Sequence, residues 1–245
     1  AALEEKLATL EGGRGGTATS SGHAAETLGL FPLMAPGMEV IVADKLYGGT
    51  INLMGKSYQK FGWTAVFADT EDPESFRRAI TDKTRAIFIE NLANPGGIVV
   101  DLEAIVKIAN EAGVPLVVDN TLATPFLSQP LEWGADLVVH STTKYLSGQG
   151  NALGGVVIDS GKFPWLGNPK YPSLSAPSEE YNGLIFAETF GDLAYTMYSH
   201  AVSLRDLGCT QSPMNAWITL NGIETLPLRM ERHCSNGLAV AEFLE

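Results

Sequence analysis

The segment that most constrains the fold is Ala135-Asp136-Leu137-Val138-Val139-His140-Ser141-Thr142-Thr143-Lys144. Leu137, Val138 and Val139 are continuously apolar rather than alternating. That is the pattern of a strand covered on both faces, as in parallel sheets enclosed by helices. The run stops at His140, small hydroxylated residues follow, and then Lys144. Ser141 and Thr143 can donate hydrogen bonds to an anion. Gly148, Gly150, Gly154 and Gly155 come next, where the backbone can turn tightly or approach a ligand. A lysine at a strand end beside anion-binding hydroxyls suits a Schiff base with a phosphorylated aldehyde. A surface lysine after a strand reads the same way, because Ser-x-Thr-Lys also arises by chance.

A second strand narrows the choice. Val114-Pro115-Leu116-Val117-Val118-Asp119-Asn120-Thr121 is an apolar run ending in an acid. Open α/β sheets bind ligands at the carboxyl ends of their parallel strands. The phosphorylated aldehyde pyridoxal phosphate needs a carboxylate to keep its ring nitrogen protonated, since the pyridinium is the electron sink. Asp119 suits that role, about one βαβ spacing before Lys144. Alone it reads equally as a helix cap or loop acid; strand-Asp followed by strand-Ser-x-Thr-Lys is far more specific.

The remaining pattern places other candidates at successive strand ends. Leu3, Leu7 and Leu10 share one helical face, with no capping residue before them. A short strand near Thr17 leads through Ser20-Ser21-Gly22 into a helix, whose first amides, Gly22 and His23, form an anion site. Ser21 reads there as an ordinary N-cap. His23 is structural by its side chain and useful by its amide. Glu39–Ala43 is a strand, with Tyr47 just beyond it, where an aromatic could stack on a flat ring or simply line the rim. Strands follow at 63–67 and 84–89, with a helix over 73–80 capped by Asp72. Asn94 could meet a ring oxygen, although Asn-Pro-Gly is also a turn sequence. Asp101 caps a helix to Ala112 with Leu102, Ile105, Ile108 and Ala109 inward. One more strand spans 156–158. Residues 162–183 read as a long Pro- and aromatic-rich excursion. Helices follow over 194–207, 214–220 and 222–244, with a break near Pro227. The architecture is α/β and doubly wound, with a mostly parallel sheet and helices on both faces.

Bulk properties exclude other classes. A hydrophobic content of 45% over 245 residues supports a real core, and a net charge of -12 opposes nucleic-acid or anionic-membrane binding. No run approaches the ~20 apolar residues of a membrane span. Cys209 and Cys234 lack metal-type spacing, no metal site is expected, and two thiols suggest a reducing, cytoplasmic setting. The chain begins and ends in helical pattern without start or stop signals, so both ends read as truncated.

These motifs resemble the Cys/Met-metabolism family of pyridoxal-phosphate enzymes, the cystathionine γ-synthase-like group of fold type I. The resemblance spans nearly the whole chain. It rests on Ser20 through Ala25, Asp44 through Thr50, Glu90 through Gly97, Val118 through Thr121 and His140 through Lys144. Within the family it is most similar to the O-acetylhomoserine sulfhydrylase branch, through Ser21-Gly22-His23, Glu180 through Phe186 and Leu226 through His233. By matching positions, the resemblance implies Lys144 as the Schiff-base lysine and Asp119 as partner of the ring nitrogen. It implies Tyr47 stacked on the ring and Asn94 on the ring hydroxyl oxygen. Ser21, Gly22, His23, Thr121, Ser141 and Thr143 would complete the cofactor site, with Gly22, His23, Ser141 and Thr143 on the phosphate. One departure is Gln149, where that branch has histidine.

The resemblance further implies γ-replacement: Lys144 moves the Cα proton, acetate leaves Cγ of O-acetylhomoserine, and sulfide adds to give homocysteine. Partners would be an amino acid, sulfide and further copies of the chain, as a dimer or tetramer with shared active sites. Residues 1–212 would form the cofactor-binding large domain, with 160–183 as its excursion. Residues 213–245 would open a C-terminal domain. The family's Tyr-x-Arg phosphate clamp would lie before this chain and its carboxylate-binding arginine after it, so these residues alone should be inactive. Cystathionine γ-synthase, cystathionine γ-lyase, methionine γ-lyase and a non-catalytic fragment are the alternatives. A nucleotide-binding oxidoreductase is disfavoured, because no strand leads into Gly-x-Gly-x-x-Gly.

Overall fold

The computed structural model describes residues 1–245. The apolar runs become a seven-stranded sheet. Its strands are β1 (Gly15–Thr19), β2 (Glu39–Ala43), β3 (Thr64–Ala68), β4 (Thr84–Glu90), β5 (Leu116–Asp119), β6 (Leu137–Ser141) and β7 (Gly155–Asp159). The order across the sheet is β1-β7-β6-β5-β4-β2-β3. The ladders from β3 to β6 are parallel; β7 runs antiparallel to β6, and β1 antiparallel to β7. The sheet is therefore mostly parallel, as expected, with an antiparallel edge. The edge follows from connectivity: the Gly-rich segment 142–154 forms turns and no helix, so β7 returns beside β6 without a crossover. Ile41, Val42, Ile87, Phe88, Val117, Val138 and Val157 are almost wholly buried. Each such side chain contributes ~1.5–3 kcal/mol on leaving water.

Helices cover both faces. Successive residues of a strand point to opposite sides. Val157 and Val139 meet Gly29 of α2 (Gly22–Leu30), following α1 (Ala2–Glu11), whereas Ile158 meets Gly13 just past α1. Further along come α3 (Gly48–Asn52), α4 (Pro73–Ala79) and α5 (Leu102–Ala112). Asp72 caps α4 by accepting from Glu74 N at 3.1 Å, and Asp101 caps α5 by accepting from Ala104 N at 3.0 Å. Leu102, Ile105, Val106, Ile108 and Ala109 form the buried stripe of α5.

Two segments differ from their sequence pattern. Residues 162–183 are packed down rather than loose: Trp165, Tyr171 and Leu174 are buried, and short helical turns form at Pro172–Ser175 and Glu179–Tyr181. Phe163 and Trp165 rings lie 4.3 Å apart, and the Tyr171 hydroxyl donates to Arg85 O at 3.0 Å. Aromatic burial thus anchors the excursion. The helix over 194–207 has a π turn at Ser199–Leu204. Near the C-terminus, helices Pro213–Ile223 and Leu226–Leu244 are separated just before Pro227, which has no N–H to donate and sits in a first turn. No helix is long and apolar enough to cross a membrane.

Beneath the carboxyl ends of β4, β5 and β6, on the α1 side, lies a buried polar chain. His140 Nε2 is 2.6 Å from Glu11 Oε1. Asn120 Nδ2 donates to the same oxygen at 2.8 Å, and Asn91 Nδ2 donates to Asn120 Oδ1 at 3.0 Å. Glu11, Asn120 and His140 are fully buried. The chain ties three strand ends to the last turn of α1. Removing one member of such a cluster strands the others without water. Glu11→Ala should therefore cost ~3–5 kcal/mol and lower the melting temperature by roughly 10 °C. Glu11→Gln, which keeps one acceptor, should cost clearly less. Thermal unfolding followed by circular dichroism checks this; a fall under about 2 °C for Glu11→Ala would mean the chain does not hold the strand ends.

Candidate active site

On the α2 side of the same strand ends is a cavity of about 620 Å³. Its position follows from register. Glu90 pairs with Asp119 and Asp119 with Val139 across parallel ladders, so these side chains share one face, and Ser141 is two residues further on. All ten residues singled out from the sequence line this cavity: Ser21, Gly22, His23, Tyr47, Asn94, Asp119, Thr121, Ser141, Thr143 and Lys144.

One end is built for an anion. Ser21 caps α2 by accepting from Ala24 N at 3.1 Å, and the amides of Gly22 and His23 at the helix start have no intrahelical acceptor. Gly22 lies so close to β6 that a Cβ there would be 2.7 Å from Ser141 Cβ. The Ser141 hydroxyl is unengaged beside it, whereas Thr143 Oγ1 is occupied by Gly154, donating to its carbonyl at 3.3 Å and accepting from its N–H at 3.1 Å. Thr143 thus lines the cavity with its hydroxyl already paired. Thr121 joins the two central residues: its N–H donates to Asp119 Oδ1 at 2.8 Å, and its Oγ1 accepts from Ser141 N at 2.8 Å.

Tyr47 stands half exposed at the mouth, its ring centroid 5.8 Å from that of His23. Lys144 is exposed to the cavity on the turn after β6, whose 141–144 step is closed by Lys144 N donating to Ser141 O at 3.3 Å; its amine forms no ion pair or hydrogen bond. Asn94 is exposed, on the segment leaving β4. Gln149 lies outside the lining, between Gly148 and Gly150, which are part of it.

Two acids that the sequence motifs left without a role complete the wall. Glu90 accepts from Tyr47 N at 2.6 Å and from Asn94 N at 2.9 Å. Glu26 accepts from the Thr50 hydroxyl at 2.8 Å. Burial, and then the charge of Asp119, push the Glu90 carboxyl up to about 7 against its two hydrogen bonds. Burial and Asp119 likewise hold Glu26 well above the carboxylate range. Asp119 is itself raised by burial, and opposed by hydrogen bonds from Thr121 and by the nearby His140 and His23. Glu90 was legible only as a strand-end acid; its register with Asp119 is the signal that the linear sequence hides. Glu26 follows His23 by three residues, so both project from one side of α2.

The lining fits a phosphorylated pyridine aldehyde. Helix amides and Ser141 suit the phosphate, the acidic wall suits a cationic ring nitrogen, and the free Lys144 amine suits the aldehyde. His23 Nε2 and Glu26 Oε2 are buried without partners on this wall. Such orphaned atoms are expected where a ligand completes the bonding.

Known proteins agree with this geometry. The family model for the Cys/Met metabolism PLP-dependent enzymes matches residues 1–245. The chain is 48% identical over 99% of its length to the O-acetyl-L-homoserine sulfhydrylase of Leptospira meyeri, covering 57% of that protein. It is 44% identical to the homocysteine/cysteine synthase of Saccharomyces cerevisiae, covering 55% of it. The chain thus spans a little over half the length of the curated relatives it matches. Among solved structures, a putative O-acetylhomoserine (thiol)-lyase from Campylobacter jejuni, carrying a pyridoxyl-lysine monophosphate, superposes with a TM-score of 0.95 at 39% identity. The match covers 99% of this chain and 60% of that one. The O-acetylhomoserine sulfhydrylase of Wolinella succinogenes gives 0.87 at 35% identity, covering 99% and 67%. With its whole length matched by one family model, this chain belongs to the Cys/Met metabolism family of PLP-dependent enzymes.

Proposed function

We propose that the protein of which this chain forms the cofactor-binding part replaces the γ-acetoxy group of O-acetylhomoserine with sulfide, giving homocysteine and acetate. The observation that carries this reading is the convergence of the ten strand-end and helix-start residues on one cavity. Relatives named O-acetyl-L-homoserine sulfhydrylase and homocysteine/cysteine synthase support the choice within the family. When bound, pyridoxal phosphate supplies an electron sink for charge developing at Cα. Lys144 Nζ, free of other partners, would hold the cofactor aldehyde and, once displaced by the substrate amine, would move the Cα proton. Asp119 would keep the ring nitrogen protonated, its carboxylate supported by the Thr121 N–H. Tyr47 would cover one ring face and exclude water, and Asn94 would meet the ring oxygen. Gly22, His23, Ser141 and Thr143 would surround the phosphate, beside the Ser21 cap of α2.

Residues 1–212 act as the large domain, and 213–245 as the opening helices of a second one. Met214, Trp217 and Phe243 are 61%, 61% and 87% exposed, which suits surfaces that further chain or another copy would cover. A homo-oligomer would cover those surfaces, and two unpaired cysteines are consistent with a cytoplasmic setting.

The experiment is to give the full-length enzyme and pyridoxal phosphate O-acetylhomoserine with either sulfide or cysteine. Homocysteine should form with sulfide at a rate well above cystathionine formation with cysteine. Faster cystathionine formation would move the protein to the sister synthase activity. In the same assay Asp119→Asn should retain cofactor but lose ~10²–10³-fold in kcat, because an amide does not hold the ring nitrogen protonated. Near-normal turnover would remove Asp119 from that role. Residues 1–245 alone should form no homocysteine above background; turnover per site equal to the full-length enzyme would show that the substrate carboxylate is bound within this chain.

A further inference from the structure

We infer that Glu90 is a positioning residue, whose two carboxylate oxygens set the backbone of both ring-contacting segments at once. The inference deepens the cofactor reading above and rests on it. Glu90 ends β4 and is 5% exposed. Its Oε1 takes the N–H of Tyr47, the residue that opens α3, at 2.6 Å. Its Oε2 takes the N–H of Asn94, on the segment that leaves β4, at 2.9 Å. Neither N–H has a regular ladder or helix acceptor, so the carboxylate is what fixes where the two residues begin. Tyr47 and Asn94 come from different strand connections, and no other side chain bonds to both backbones.

The residue type follows from the bonding. Two N–H groups need two acceptor atoms on one side chain, and among neutral or anionic side chains of this reach only a carboxylate has both. Glutamine brings one acceptor and one NH2, and the NH2 would face an N–H. The choice is costly, because Glu90 is buried and in register with Asp119, and their charges repel. A site serving packing alone would avoid a second acid beside the first. The cost is understandable where the position of Tyr47 over the ring, and of Asn94 beside it, must be held closely.

The test uses the full-length holoenzyme. Cofactor affinity is read from the visible absorbance of the lysine-bound cofactor, alongside thermal unfolding. E90Q should weaken pyridoxal phosphate binding by ~10-fold, the loss of one charge-assisted contact. In a Tyr47→Ala, Asn94→Ala background the same substitution should weaken it by less than ~2-fold, because nothing is left to position. Should E90Q not fold, E90D carries the same comparison, since it keeps the charge and is one methylene too short to reach both amides. Unchanged affinity in the otherwise native enzyme would overturn the inference. So would an equal loss in both backgrounds, which is the signature of a purely structural role. If the native enzyme forms no cofactor adduct on Lys144, the site reading itself falls, and the positioning role with it.

Discussion

The structure depends on the alternation of side chains at the ends of three parallel strands held in register. At β4, β5 and β6 each strand delivers one side chain to the cavity and its sequence neighbour to the opposite face. Glu90, Asp119 and Ser141 go forward; Asn91, Asn120 and His140 go back. The forward row is where ligand chemistry happens. The rear row is a hydrogen-bonded chain ending on Glu11, its Asn120, His140 and Glu11 side chains fully buried. A slip of one residue in any ladder would exchange the rows, burying the reactive acids and exposing the lock. The rear chain therefore protects the register on which the cavity depends.

Placing Glu26, Glu90 and Asp119 on one wall has an electrostatic consequence. The charge of Asp119 raises the proton affinity of Glu26 and of Glu90, and that of Glu90 raises the proton affinity of Glu26, on top of what burial does. A carboxyl whose pKa is raised in the folded state costs stability once it ionises. For Glu90 this penalty is absent below its ordinary range near 4.5 and grows as pH rises toward about 7. A cationic ring nitrogen against Asp119 would relieve part of this repulsion. Cofactor binding and the comfort of the wall are thus coupled, and stability near neutral pH should be sensitive to occupancy.

Much of this was legible in the sequence because strands buried on both faces advertise themselves as uninterrupted apolar runs. Glu39–Ala43 matches β2, and the ends of β5 and β6 fall on Asp119 and next to Lys144 as expected. What was hidden depends on partners distant in sequence. Glu11 and His140 are 129 residues apart in the sequence, and nothing local marks either as half of a pair. The role of Glu90 comes from a cross-strand register and from two amides in other segments. Thr143 shows the converse: its motif position suggests a free hydroxyl, and Gly154 has taken it. The antiparallel edge was missed because a strand's direction is decided by its connection rather than by its own residues. Residues 162–183 read as a long excursion, and which of its aromatics are buried depends on tertiary contacts that the local pattern does not carry.

The central claim is that this wall of strand ends surrounds one reactive amine. The most direct measurement is borohydride reduction of the full-length protein loaded with pyridoxal phosphate, followed by proteolysis and mass spectrometry of the pyridoxyl peptides. A single adduct on Lys144, at one per chain, is the expected result. An adduct on Lys45, Lys56 or any other lysine, with Lys144 unmodified, would contradict the site built here.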